Sequence, residues 1–260
     1  MLMGILYFVI ILLACILGAI VGLGGGVFIR PIFDAIGYHN VLNISFFSSS
    51  AILTMAIVST IKKLQDGTRI DVKIAVLISS GAVVGGMLGN LLLERLVSLF
   101  AVEASVQYIQ IVVTVLVLGV SIFLTIKGNL RYDVKNKVPF CLIAGVILGS
   151  VAAFLGIGGG PINVPVMMIF FGLPIKTATA YSIVIIFFSH FSRLVTMGVT
   201  VGYNYFDLPI LMFVIPAAAI GGLLGAKYSK LLPDTTVKKM FIVALSAVIV
   251  LNVVNGLFII

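Results

Sequence analysis

The chain has no tryptophan, two cysteines, two histidines and few charges, with Asp, Glu, Lys and Arg making up 9% of its 260 residues. Ordinary soluble domains carry about 25% charged residues, so this composition cannot cover a soluble globule. Cys15 and Cys141 lie inside apolar runs and provide neither a disulfide framework nor a set of metal ligands. Membrane-embedded hydrolytic chemistry needs a nucleophile and a base within reach of each other. The sequence has no H-E-x-x-H, no G-x-S-x-G and no paired aspartates within an apolar run. These absences argue against an enzyme, and no cofactor is indicated. The acidic residues are Asp34, Asp66, Asp71, Glu94, Glu103, Asp133, Asp207 and Asp234, all in connections, at run ends or in short pieces. No carboxylate therefore marks a proton relay in the middle of a span, and none is expected to be essential there. His190 is the one titrating group expected within a long span.

What is present is apolar: 62% of residues are hydrophobic and the mean hydropathy is +1.31. The sequence reads as a single all-α polytopic membrane domain. Long runs fall at about 2–23, 40–61, 72–93, 105–126, 139–157, 177–200, 207–228 and 239–260, with shorter pieces at 27–38 and 161–173. The first run lacks a basic leader and a small-residue exit site, so it is expected to be a retained span. The formal charge of +8 reads as loop orientation, and a nucleic-acid partner is not expected.

Two halves share one pattern. Gly22-Leu23-Gly24-Gly25-Gly26 with Pro31 and Gly156-Ile157-Gly158-Gly159-Gly160 with Pro165 are separated by 134 residues. Gly85-Gly86-Met87-Leu88-Gly89 with Asp71 matches Gly221-Gly222-Leu223-Leu224-Gly225 with Asp207 at a spacing of 136. The expected division is a first repeat over 1–126, a basic connection over 127–138 and a second repeat over 139–260. Basic residues concentrate in 62–73, 127–137 and 227–239, which places these loops in the cytoplasm and the N-terminus outside the cell membrane. The first two share a side because two spans separate them, and the third joins them only if the short piece 161–173 completes a crossing, which favours eight long spans plus two half-helices, about ten segments. Equivalent loops of the two halves then differ in charge, as inverted repeats require.

Gly81, Gly85 and Gly89, with Gly221 and Gly225, recur every fourth residue and read as helix-packing positions. Tyr38, Tyr108, Tyr132, Tyr203, Tyr205 and Tyr228 lie near span ends and read as interface anchors. The triple glycines differ. Unwound backbone in a bilayer persists only where protein or a water-filled cavity covers it. A short helix starting beyond the loop turns free N–H groups and its positive dipole end toward a ligand, which favours an anion. Pro161 beside the second triplet, with Pro31 and Pro165, fits helix starts. Glycines also serve tight crossings, but paired and symmetric they point to a site, with positive φ expected at Gly25 and Gly159.

The paired G-x-G-G-G-x-x-x-x-P motifs, one per half of an all-helical chain of this length, resemble the sulfite exporter TauE/SafE family, and the likeness covers essentially the whole chain. It implies a transporter of sulfite or organosulfur anions such as sulfoacetate. Residue by residue it supports Gly24, Gly25, Gly26 and Pro31, and Gly158, Gly159, Gly160 and Pro165. The motif marks the scaffold and not the particular oxyanion.

Side chains able to complete a substrate site are few. Ser45, Ser48 and Ser49 share one helix face, and Ser182 is the counterpart of Ser48; each hydroxyl either donates to an oxyanion or back-bonds to its own helix. Asn163 follows the second triplet and its amide can donate. Arg30 either binds the anion, snorkels, or pairs with Asp34 one turn on. Ser189, His190 and Arg193 form a second polar group, with Arg193 read as near a span end. The expected function is export of a small sulfur-containing oxyanion held between the glycine loops at mid-membrane. An inside-negative potential drives anions outward by about 2.3 kcal/mol per charge at ~100 mV. A channel, or uptake coupled to Na⁺ or H⁺, is the alternative. The partners are the small anion and the lipid bilayer.

Overall fold

The computed structural model describes residues 2–68, 70–99, 103–127, 137–155 and 159–258. Among them the secondary structure is helical throughout: α1 (Leu2–Val21), α2 (Gly26–Ile36), α3 (Val41–Gln65), α4 (Val72–Leu99), α5 (Glu103–Ile126), α6 (Lys137–Leu155), α7 (Gly160–Phe171), α8 (Ile175–Thr200), α9 (Leu211–Leu231) and α10 (Asp234–Phe258). Two 3₁₀ turns, Tyr203–Tyr205 and Leu208–Ile210, join α8 to α9. Among the described residues eight helices are long and apolar enough to cross a membrane. In hydrocarbon every backbone polar group must be satisfied internally, which leaves helices as the solution for such runs. Large apolar side chains such as Leu13, Leu88, Leu116, Ile143, Met212 and Val243 lie exposed on their outer faces, as lipid contact requires. The protein is a multi-pass membrane protein.

Helix limits have local causes. The Asn40 side chain accepts from Asn43 N at 2.9 Å and caps α3. Asp71 accepts from the backbone N–H groups of Lys73 and Ile74 and caps α4. Helices α2 and α7 end in the same way, at Gly37 and Gly172 with φ of 65° and 62°. Their 11 and 12 residues rise about 16 and 18 Å, short of a ~30 Å hydrocarbon core.

Helix α2 nevertheless returns the chain to the end where α1 began. The Tyr7 ring stacks on Phe33 with centroids 4.0 Å apart, and Tyr7 Oη lies 2.8 Å from His39 Nδ1. The start of α3 and the α8–α9 connection meet at this same end, where Asp207 N donates to Asn43 Oδ1 and Asn40 Nδ2 to Tyr205 Oη. At the opposite end Ser229 Oγ donates to Ile20 O, and Lys62 and Lys230 both reach the Asp66 carboxylate, at 3.1 and 3.3 Å. Two of the basic connections are thus tied together by one acid. The hydrogen bond from Lys62, followed by that from Lys230, holds the Asp66 carboxyl below the usual carboxylate range. Of the third basic connection, residues 128–136 lie outside the described residues.

Packing pairs match across the two halves. Helix α1 packs on α9 and α6 on α4; α3 packs on α9 and α8 on α4; α2 packs on α3 and α7 on α8; α10 packs on α2 and α5 on α7. Helices α3 and α8 also pack on each other, as do α5 and α10. Exchanging α1–α5 with α6–α10 reproduces these pairs. The α4–α6 crossing is backbone on backbone: a Cβ on Gly81, Gly85 or Gly89 would strike α6 around Leu142, Val146 or Ser150. Gly221 and Gly225 of α9 meet α1 at Leu12, Cys15 and Ile16 in the same fashion. These small residues serve close helix approach, as their spacing indicates. Cys15 and Cys141 are both buried.

Candidate functional site

The first glycine loop breaks from α1 after Val21. Gly22 and Gly24 have φ of +75° and +73°, a region closed to most L-residues, while Leu23 N still donates to Gly18 O. Gly25 and Gly159 have φ of −60° and −66° and stand as helix N-caps, so the expectation of positive φ at those two positions is corrected. As caps, their carbonyls already accept the first helical N–H groups: Phe28 and Ile29 in one loop, Ile162 and Asn163 in the other. Smallness at Gly25 has another cause, since a Cβ there would stand 2.9 Å from Cys15 Sγ on α1. Gly26 and Gly160 open α2 and α7. Gly158 lies outside the described residues. The two loops touch, because a Cβ on Gly160 would run into the backbone of Leu23.

Two of the candidate donors stabilise these loops. Ser182 Oγ donates to Gly22 O at 2.6 Å, so its one proton goes to the carbonyl that unwinding exposed. Ser182→Ala should lower stability by about 1–3 kcal/mol, the penalty of a buried acceptor left unmet. A thermal melt in detergent measures it, and an unchanged melt would leave the bond without stabilising effect. Arg30 donates to Leu155 O and to Gln110 Oε1, both at 2.6 Å, and its Nε lies 3.7 Å from Asp34 Oδ2. Gln110 in turn donates to Phe154 O at 2.7 Å. Arg30 and Gln110 together cap the C-terminal carbonyls of α6, where a cation also meets the negative end of the helix dipole.

Other candidates are buried without partners among the described residues. These are the hydroxyls of Ser45, Ser48 and Ser49, both amide atoms of Asn163, both ring nitrogens of His190 and all three guanidinium nitrogens of Arg193. Asn163 is 0% exposed, and His190 and Arg193 are each 1% exposed. Arg193 is therefore not the interface residue its sequence position suggests: α8 continues to Thr200, and the side chain faces inward. Ser189 differs from its neighbours in back-bonding to Ile186 O at 3.1 Å.

Register brings the serines level with Arg193. Lys63 Nζ donates to Thr179 Oγ1 at 3.1 Å, and the α3 start meets the α8–α9 connection, so α3 and α8 run antiparallel. Fourteen residues before Lys63 stands Ser49, and fourteen after Thr179 stands Arg193. At 1.5 Å per residue both lie about 21 Å from that contact. Their faces converge on the first loop. A Cβ on Gly24 would approach Ile186 Cδ1 at 3.3 Å and Ile52 Cγ2 at 3.6 Å. Ile52 shares a helix face with Ser45, Ser48 and Ser49, and Ile186 with His190 and Arg193. Ile52 and Ile186 are themselves counterparts, near the middle of α3 and α8. Asn163 stands one turn into α7, beside Gly159, whose added Cβ would be 3.0 Å from Asn163 Oδ1.

Arg30 is close enough to Arg193 for the two cations to repel, and the one carboxylate within ion-pair distance of Arg30 among the described residues is Asp34. Hydroxyl, amide and guanidinium donors with no paired acid suit an oxyanion. Among the described residues no group of three His, Cys, Asp or Glu side chains could hold a metal ion.

Comparison with known proteins agrees with this architecture. A probable membrane transporter protein, MamO, of Magnetospirillum gryphiswaldense is 28% identical over 111 residues, covering 41% of this chain and 18% of the relative. The protein of the same name from Paramagnetospirillum magneticum is 27% identical over 111 residues, covering 41% of this chain and 17% of the relative. A probable membrane transporter protein, YunE, of Bacillus subtilis is 27% identical over 127 residues, covering 49% and 45%. The chain thus spans less than half the length of each of these curated relatives. No solved structure matches it. The family model for the sulfite exporter TauE/SafE matches residues 7–251, nearly the entire chain, and the protein belongs to that family.

Proposed function

We propose that the protein carries a small sulfur-containing oxyanion, of the sulfite or organosulfonate type, out across the cell membrane. The observation that carries this reading is Arg193, a fully buried guanidinium on a spanning helix with no acceptor among the described residues. An unpaired charge at bilayer depth costs ~2.5–3.5 kcal/mol even on the mildest scale, so an intramembrane cation of this kind marks a substrate path. Ser48, Ser49, Asn163 and His190 complete the set of donors, Gly24 lets backbone approach, and Gly26 begins a helix whose N-terminus faces the same region. Burial of the whole group supports a carrier that encloses its substrate over an open pore.

In this reading residues 1–126 and 139–260 are inverted repeats, the basic end that Asp66 ties together is cytoplasmic, and the N-terminus lies outside. Single cysteines at Thr68 and Tyr203 should then label from opposite membrane faces. Labelling from one face would overturn the topology.

The function is tested on purified protein. Sulfite or an organosulfonate should raise the melting temperature more than chloride or phosphate does. The best ligand should then show saturable efflux from liposomes, accelerated by an inside-negative potential. No thermal shift with any anion would remove the substrate class, and flux linear in concentration would make the protein a channel.

A further inference from the structure

The basic end holds a cavity of about 120 Å³, lined by Lys63, Lys176 and Lys230, by the single carboxylate Asp66, and by Thr68 and Ser229 among others. One water needs ~10–15 Å³ of such space, so a hydrated small anion fits. Charge there is unbalanced. Asp66 is already shared by Lys62 and Lys230, while Lys63 and Lys176 have no carboxylate within ion-pair distance among the described residues. Lys63 is buried at 6% exposure and lies close enough to Lys176 for the two ammonium groups to repel. Its bond to Thr179 uses one of three protons and leaves two for a ligand. The second half has no such group: the counterpart of Lys63 is Met197, buried in the apolar core.

The cavity adjoins the first glycine loop. A Cβ on Gly22 would stand 2.6 Å from Thr179 Cβ, and Ser182, one turn further along α8, holds the Gly22 carbonyl. We propose that Lys63 and Lys176 form a second oxyanion site at this mouth, which takes the anion from water before it passes Thr179 toward Gly24. Its role in transport rests on the function proposed above, but binding at the lysines is a separate property. Lysine suits a transient station, since its compact, hydrated ammonium binds as a point charge without the fixed bidentate geometry of arginine.

Calorimetric titration of sulfite into the full chain in nanodiscs of zwitterionic lipid tests this. The wild type should show two sites. Lys63→Met, which installs the residue of the other half, should weaken one of them by about tenfold or more, as loss of a charge-assisted hydrogen bond implies. The partly exposed Lys176→Gln should weaken that same site and guards against a folding defect at Lys63. Arg193→Gln should remove only the other site. One site in the wild type, lost with Arg193 and untouched by either lysine change, overturns the vestibule while leaving the central site intact. A lysine-dependent site with Arg193→Gln without effect overturns the central reading and keeps the vestibule. Repetition in anionic nanodiscs separates free oxyanion from lipid phosphate: the lysine site should persist, and its disappearance there would assign it to a headgroup and overturn the proposal.

Discussion

Arg193→Gln should abolish sulfite flux, by about 100-fold or more, while the ligand-free protein melts no lower than the wild type. The two effects part because the guanidinium meets no acceptor among the described residues. Its removal relieves an uncompensated buried charge and breaks no bond, so stability holds or rises. Binding loses up to two charge-assisted hydrogen bonds worth about 1.5–3 kcal/mol each, and 1.4 kcal/mol is tenfold. A residue that serves packing alone would give the opposite pattern, a lower melt with residual flux in proportion to surviving protein. Normal flux from Arg193→Gln would remove the guanidinium from the substrate path.

Gly160→Ala should be strongly damaging although it adds a single methyl group. The added Cβ would collide with Leu23 backbone, which has no rotamer to yield. Overpacking usually costs ~1–3 kcal/mol because side chains give way; against backbone the cost should exceed that range and force the two glycine loops apart. The expected outcome is loss of monodisperse protein on detergent extraction. Gly119→Ala, where the new methyl meets nothing within 4 Å, is the control and should behave as wild type. A well-folded Gly160→Ala protein with full flux would contradict contact between the loops.

Several of these features were legible in the sequence, because hydrocarbon imposes simple rules. The run at 27–38 became α2, Gly26–Ile36, and that at 161–173 became α7, Gly160–Phe171, since a glycine loop and a closing glycine bound each piece. Helix ends were less legible where polar residues continue the helix beyond the apolar run. Helix α3 extends to Gln65 and α4 to Leu99, past the run ends at 61 and 93, because charged side chains at a helix end reach water without breaking it. That extension hid Lys63, which reads as a loop charge until it is placed one turn beyond Ser59 on the same helix face. Arg193 was misplaced for a different reason: α8 ends at Thr200 with its apolar run, but which of its faces packs inward is set by neighbouring helices distant in sequence. The roles of Arg30 and Ser182 depend on carbonyls 125 and 160 residues away, and no local pattern carries such a pairing.

The position of the bound anion can be read directly. Selenite shares the shape and charge of sulfite and scatters anomalously, so diffraction from crystals of the wild-type protein grown with selenite reads its position directly. An anomalous peak is expected beside Gly24, within hydrogen-bond distance of Arg193 and of at least one hydroxyl among Ser45, Ser48 and Ser49. Selenite confined to other positions, in a protein that transports sulfite, would contradict this placement.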